Sequence, residues 1–298
     1  MPYKGGGRMA GNNVLPTYKR QRFLLSFISQ LPDEVAPTNL QKLIFLYTMS
    51  EKSDFYEFVP YKFGPYSFQL REDVDILRKN GFLSRESFGI VADKEYQGET
   101  VFPIATERGD ELIRRTYREY PYYAINSEII PRLFHNDPLT PERIRHEKEQ
   151  YVQTEQMLFT IGYEGRSLEA FMNTLVKNDV RLLCDVRKNP LSRKFGFTKD
   201  RLEQTAKVMG IKYLHFPSLG IESAKRKFLD TEADYISLFD DYKKTLPYRK
   251  KQLDSLYEQL CSHVRIALMC FEKEPEMCHR HVIRDYLCDR YPIRSMDL

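Results

Sequence analysis

Two thiols, a carboxylate, an imidazole and a guanidinium fall in one short stretch near the end of this 298-residue chain, as Cys270, Glu272, Cys278, His279 and Arg280. A cysteine at a helix start, beside a histidine and an arginine, has its thiolate favoured by both neighbours and by the helix dipole. Cys278 is therefore the candidate nucleophile and Glu272 the candidate general acid or base, with Cys270 and His279 completing the catalytic set. Each has a plainer reading. The cysteines can be buried structural residues, and Glu272 can simply be an arginine's partner. A metal is a third option, since Cys270, Cys278, His279 and His215 are soft ligands. Cys-x7-Cys-His matches no recognised zinc-finger spacing, however. No metal ligand is assigned, and the cofactor stays open with zinc as the alternative.

These side chains need an element to hold them. Ile266 to Phe271 is a short apolar run suited to a buried parallel strand. Charges and Pro275 break it, and Val282, Ile283, Tyr286 and Leu287 then recur at helical spacing. The site thus falls at the carboxyl end of a strand, where open α/β sheets place ligands. Earlier segments supply the rest of the sheet. Met157–Gly162 reads as a strand, Ser167 as the cap of a following helix, and Val180–Val186 as a second strand, which makes a parallel βαβ unit. Ile211–Pro217 is a third strand, and Asp230–Cys261 a long charged helical segment. The loops bring Tyr163, Glu164, Arg187, Arg193, His215 and Arg280 to the same edge as candidate substrate- or phosphate-binding residues, since guanidinium groups grip phosphate bidentately. Arg187 has a competing reading as an internal salt bridge to Asp185 or Glu272.

Four segments of this half resemble the bacterial domain-of-unknown-function family 488. They are Thr160-Ile-Gly-Tyr-Glu-Gly-Arg-Ser167, Cys184-Asp-Val-Arg-Lys-Asn-Pro190, Lys212-Tyr-Leu-His-Phe-Pro-Ser-Leu-Gly220 and Met269 to Arg280. The resemblance implies a Rossmann-type α/β domain over 157–298 whose activity is not established. The loop after Gly220, Ile-Glu-Ser-Ala-Lys-Arg-Lys, departs from the expected pattern and leaves substrate choice open.

The other half reads as helical. Arg20–Leu31 and a helix from Pro37, capped by Thr38 or Asn39, carry apolar faces. An aromatic loop, Phe58–Ser67, leads through Ser67 into a third helix that closes at Gly81. Phe82–Arg85 and Thr100–Thr106 read as the two strands of a wing, followed by a helix from Glu107 to about Tyr117. The segments Thr38–Tyr47, Phe58–Ser67 and Asp75–Leu83 resemble the Panacea (SocA-like, phage-associated) family, which implies a winged-helix-like adaptor that binds a protein partner or nucleic acid. Lys62 and Arg71 are its candidate phosphate contacts.

The expected organisation is a flexible tail over 1–17, a mostly helical winged-helix-like domain over 18–118, a connector over 119–156 and the Rossmann-like parallel-sheet domain over 157–298. A formal charge of +4 permits nucleic-acid binding without requiring it. Five cysteines without a pairing pattern indicate a reducing compartment. No apolar stretch reaches the ~20 residues of a membrane span, and the basic start lacks a signal-peptide core. A cytoplasmic protein with no membrane partner is expected. The leading expectation is an enzyme acting on a nucleotide or nucleic acid, in phage defence or toxin control by family analogy. The competing one is a non-catalytic nucleotide- or DNA-sensing adaptor.

Overall fold

The computed structural model describes residues 9–10, 13–85, 89–92, 102–226 and 229–298. The chain forms two compact units, Met1–Lys148 and Glu149–Leu298. Residues 119–148, expected to connect the domains, fall inside the first. Among the described residues no helix is long and apolar enough to cross a membrane.

The first unit packs α1 (Lys19–Ser29), α2 (Pro37–Glu51), α3 (Phe68–Lys79) and α4 (Gly109–Glu119). Leu24, Phe27, Leu43, Phe45, Leu70 and Leu112 meet in one apolar core. Helix α2 starts at Pro37 as read, but its cap is Ala36 rather than Thr38 or Asn39, and the missing N–H of Pro37 in the first turn costs nothing. Ser67 caps α3 as predicted, accepting from the Leu70 N–H at 3.2 Å. The aromatic loop before it is a tight hairpin of β1 (Val59–Tyr61) and β2 (Gly64–Tyr66). Gly64 has φ +87°, and a Cβ there would lie 2.5 Å from the Tyr117 ring. Turn and packing thus both demand glycine.

The expected wing is not formed by the described residues. Leu83 makes an isolated antiparallel bridge to Ala92, and residues 102–106 are not strand; Thr100 and Val101 lie outside the described residues. A second isolated bridge takes Ile90 to Val35 instead. Within the expected connector, Leu139–Glu149 is helical, as α5.

The second unit is an α/β layer structure with a five-stranded, wholly parallel sheet. Its strands are β3 (Met157–Gly162), β4 (Leu182–Asp185), β5 (Lys212–His215), β6 (Arg265–Cys270) and β7 (Ser295–Asp297), in the order β5-β4-β6-β3-β7. Helices α6 (Leu168–Lys177), α7 (Lys199–Val208), α8 (Glu232–Thr245), α9 (Lys250–His263) and α10 (Arg280–Cys288) connect them. The segment read as one long helix breaks into α8 and α9 at a 3-10 turn, Leu246–Arg249, where Pro247 cannot continue the hydrogen-bond ladder. Leu158, Leu182, Leu268 and Cys270 share one face with Leu253, Leu256 and Ile283 of α9 and α10. Alternation sends Phe159, Leu183 and Met269, all buried, to the other face. From β4 the chain crosses one way to β5; from its neighbour β6 it crosses the other way to β7. Such a switch point opens a crevice at the carboxyl edge.

One cation lies inside the first unit. Lys42 is 2 % exposed, and its ammonium donates to the Pro65 carbonyl at 3.2 Å. Burial pushes it down to about 7, below the ordinary lysine value of about 10.4. Between those two values the unfolded chain holds a proton that the folded one has lost, so Lys42 adds stability as pH rises. Urea melts from pH 7.5 to 9.5 are expected to show the difference between wild type and Lys42→Met changing by about 1.4 kcal/mol per pH unit. Parallel pH dependences would refute the lowered proton affinity of the buried Lys42 amine.

Candidate functional site

Strand β6 delivers Cys270 to the edge of the sheet, and the chain then crosses the end of β3. That crossing needs Gly162, because a Cβ there would sit 1.8 Å from the Glu272 carbonyl oxygen. Arg280 pins the crossing from below. Its Nη1 and Nη2 donate to the Glu272 and Lys273 carbonyls at 2.5 and 2.8 Å, and its Nε to Thr160 Oγ1 at 3.1 Å. A 3-10 turn over Pro275–Met277 brings the chain back. Cys278 follows in extended conformation, and His279 is the cap of α10. The helix therefore starts after Cys278.

The four predicted catalytic residues converge. Sγ of Cys270 and Sγ of Cys278 each lie 3.8 Å from His279 Nδ1. The Cys270 thiol donates to Glu272 Oε2 at 3.4 Å, while Glu272 Oε1 pairs with Arg226 Nη1 at 2.6 Å. Arg226 Nη2 donates to His279 Nδ1 at 3.1 Å, and His279 Nε2 faces the Val186 carbonyl at 3.0 Å. A guanidinium only donates and a carbonyl only accepts. His279 is thereby assigned as the neutral tautomer with its proton on Nε2 and its Nδ1 lone pair turned to the thiols.

The electrostatics correct the nucleophile. Cys278 is fully buried within the apolar core under α9 and α10. Burial, reinforced by the Cys270 thiol, pushes the Cys278 thiol well above its usual value, and His279 only partly opposes this. The expected activated thiolate is absent because the apolar floor outweighs the helix start. Glu272 behaves differently. Burial raises its carboxyl, but the Arg226 guanidinium and the two thiols more than offset that, and it lies below the usual glutamate value.

The predicted arginines divide. Arg187 is 6 % exposed and turns inward, pairing with Asp185 through Nε and Nη2 and donating through Nη1 to the Tyr163 hydroxyl and the Phe197 carbonyl. The internal salt bridge is thus the correct reading, and Tyr213 donates to the same carboxylate at 2.6 Å. Arg280 is a backbone clamp rather than a phosphate contact. Arg193 does face a crevice of about 320 Å3, together with Lys188, Tyr163, Cys270 and His279. Tyr163 is held there by stacking on Phe197 at 4.3 Å. Glu164 is exposed and accepts from the Lys273 N–H at 3.0 Å, tying two loops outside the crevice lining. His215 is taken up by the Arg187 carbonyl, at 2.8 Å, and does not reach the thiols. Arg226 is the residue that sequence reading missed. The signal available was three cations in the loop after β5, the segment already noted as departing from pattern.

Removing one member of a buried ion pair strands its partner, so Arg187→Met and Asp185→Asn are each expected to cost about 3–5 kcal/mol in urea unfolding. Arg193→Ala, on an exposed side chain, is expected to change stability by less than about 0.5 kcal/mol. Equal costs would mean that the two arginines are not divided between core and crevice.

No curated protein and no solved structure matches the chain. Residues 167–287, from the cap of α6 almost to the end of α10 and including the loops after β4, β5 and β6, match the family described as Domain of unknown function DUF488.

Proposed function

We propose that the second unit is a hydrolase or transferase that takes a phosphate-bearing ligand, a nucleotide or nucleic-acid strand, in the crevice beside β4 and β6. The observation that carries this reading is the pairing of a cationic mouth with a polar floor. Lys188 and Arg193 are exposed at the mouth, and among the described residues neither forms an ion pair. Arg226, Glu272, Cys270 and His279 interact at the floor. The cations hold phosphate oxygens, by charge and by bidentate hydrogen bonding. Glu272, ionised at neutral pH and held by Arg226, is the group able to accept a proton from an attacking water or hydroxyl.

The sealed position of Cys278 favours a second reading, a sensor that binds the same ligand without turnover. For the first unit we propose the adaptor role that its Panacea-like segments imply. The exposed Phe63 and the Lys62 ammonium above it, 5.2 Å from the ring centroid, support a partner-binding hairpin. A place in phage defence or toxin control rests on family analogy alone.

Titration of labelled ATP and of a labelled oligonucleotide tests the crevice. Lys188→Ala and Arg193→Ala are each expected to weaken binding by roughly tenfold, about 1.4 kcal/mol, and to lower its salt dependence. Unchanged affinity in the double variant would defeat the proposal. Glu272→Gln is expected to abolish turnover with binding kept, and the acid limb of the wild-type rate to lie below the ordinary glutamate value of about 4.3. Binding with no turnover of either ligand by wild type would select the sensor.

A further inference from the structure

The floor of the crevice has a feature that the phosphate reading does not use. Cys270 Sγ, Cys278 Sγ and His279 Nδ1 all lie within 4.8 Å of one another, and all three residues are buried. Zinc bonds of about 2.3 Å to sulfur and 2.0–2.1 Å to nitrogen give tetrahedron edges of roughly 3.5–3.8 Å. The two Sγ···Nδ1 separations of 3.8 Å are close to such edges. We propose that Cys270, Cys278 and His279 bind a zinc-class divalent cation, which leaves a fourth position open.

Two observations point to a cation. The first is the histidine. Its Nε2–H is anchored on the Val186 carbonyl, the outer contact that fixes a metal-ligating imidazole in its tautomer. Its Nδ1, which accepts from Arg226, lies 3.8 Å from each sulfur. The second is the present occupant. The Arg226 guanidinium reaches into this cluster, touching Nδ1 and Glu272, yet its Nε is buried without a hydrogen-bond partner among the described residues. A positive group is drawn in, but it does not fit. Charge permits it: a divalent ion and Arg226 together balance two thiolates and the Glu272 carboxylate, so the filled site, like the empty one with neutral thiols, buries no net charge. The ion takes the Nδ1 lone pair from Arg226, and the two thiol protons leave as Sγ–metal bonds form. Glu272 keeps Arg226 through Oε1.

The short spacing of the motif conceals the site, because Cys-x7-Cys-His resembles no zinc finger. The first thiol comes from the end of β6, and the second returns to it only after a loop crosses β3. The inference shares the crevice floor with the proposed function, but its readout is metal content, so either can fail alone.

The full-length chain, purified under reducing conditions and equilibrated with Zn2+ or Co2+ before desalting, supplies the test. Elemental analysis is expected to find about one ion per chain. The Co2+ form is expected to show thiolate-to-metal charge-transfer bands and the intense visible bands of a tetrahedral site. Cys270→Ser/Cys278→Ser is expected to lose the ion and the bands, whereas Cys261→Ser, at an exposed cysteine, retains both. A metal-free wild type after equilibration overturns the site, as does a double variant that still binds stoichiometrically. Should the double variant fail to fold by circular dichroism, the wild-type Co2+ spectrum decides: no charge-transfer band means no thiolate ligands and no site.

Discussion

Arg280 holding the Glu272–Lys273 backbone against Gly162 is the contact on which the rest of the second unit's site depends. The guanidinium is 1 % exposed and binds two carbonyls and one hydroxyl. A buried charge is tolerated only when its donors are used in this way. With the loop fixed so close to β3, the chain has room to turn back at Pro275 and set Cys278 and His279 beside Cys270. A side chain at position 162 would push the loop off the strand and separate the two thiols.

Burial, rather than residue type, separates the arginines by role. Arg187 and Arg280 enter the interior because Asp185, Tyr163, Thr160 and several carbonyls await them. Arg193 stays at the surface, where a ligand can reach it. Arg226 lies between these cases, half-buried and shared between a carboxylate and an imidazole. The same solvation logic sets the thiols. Within an apolar layer the uncharged form of Cys278 is favoured unless a cation accompanies it.

Much of the secondary structure was legible in the sequence. The apolar run Ile266–Phe271 is a buried strand up to Cys270, with Phe271 exposed beyond it, and Ser67 and Ser167 cap their helices as read, each accepting an N–H three residues on. Other features left no such trace. Strand β7 is exposed at all three positions, so it carries no apolar signal and is defined by pairing with β3. The break between α8 and α9 was signalled by Pro247 but hidden within a run of charge. Among the described residues, Phe82–Arg85 of the expected wing makes a single bridge, Leu83 to Ala92.

By itself the sequence determined which residue types gather at the carboxyl edge of a parallel sheet, because alternation and loop position follow from chain geometry. It could not determine which of them face a ligand. That choice depends on groups far away in the chain, such as Asp185 and Tyr163 for Arg187, Thr160 for Arg280 and Val186 for His279. Desolvation free energies arise only when those groups meet. The tertiary structure therefore decided that two arginines serve the fold, that Cys278 is sealed, and that Arg226 enters the site.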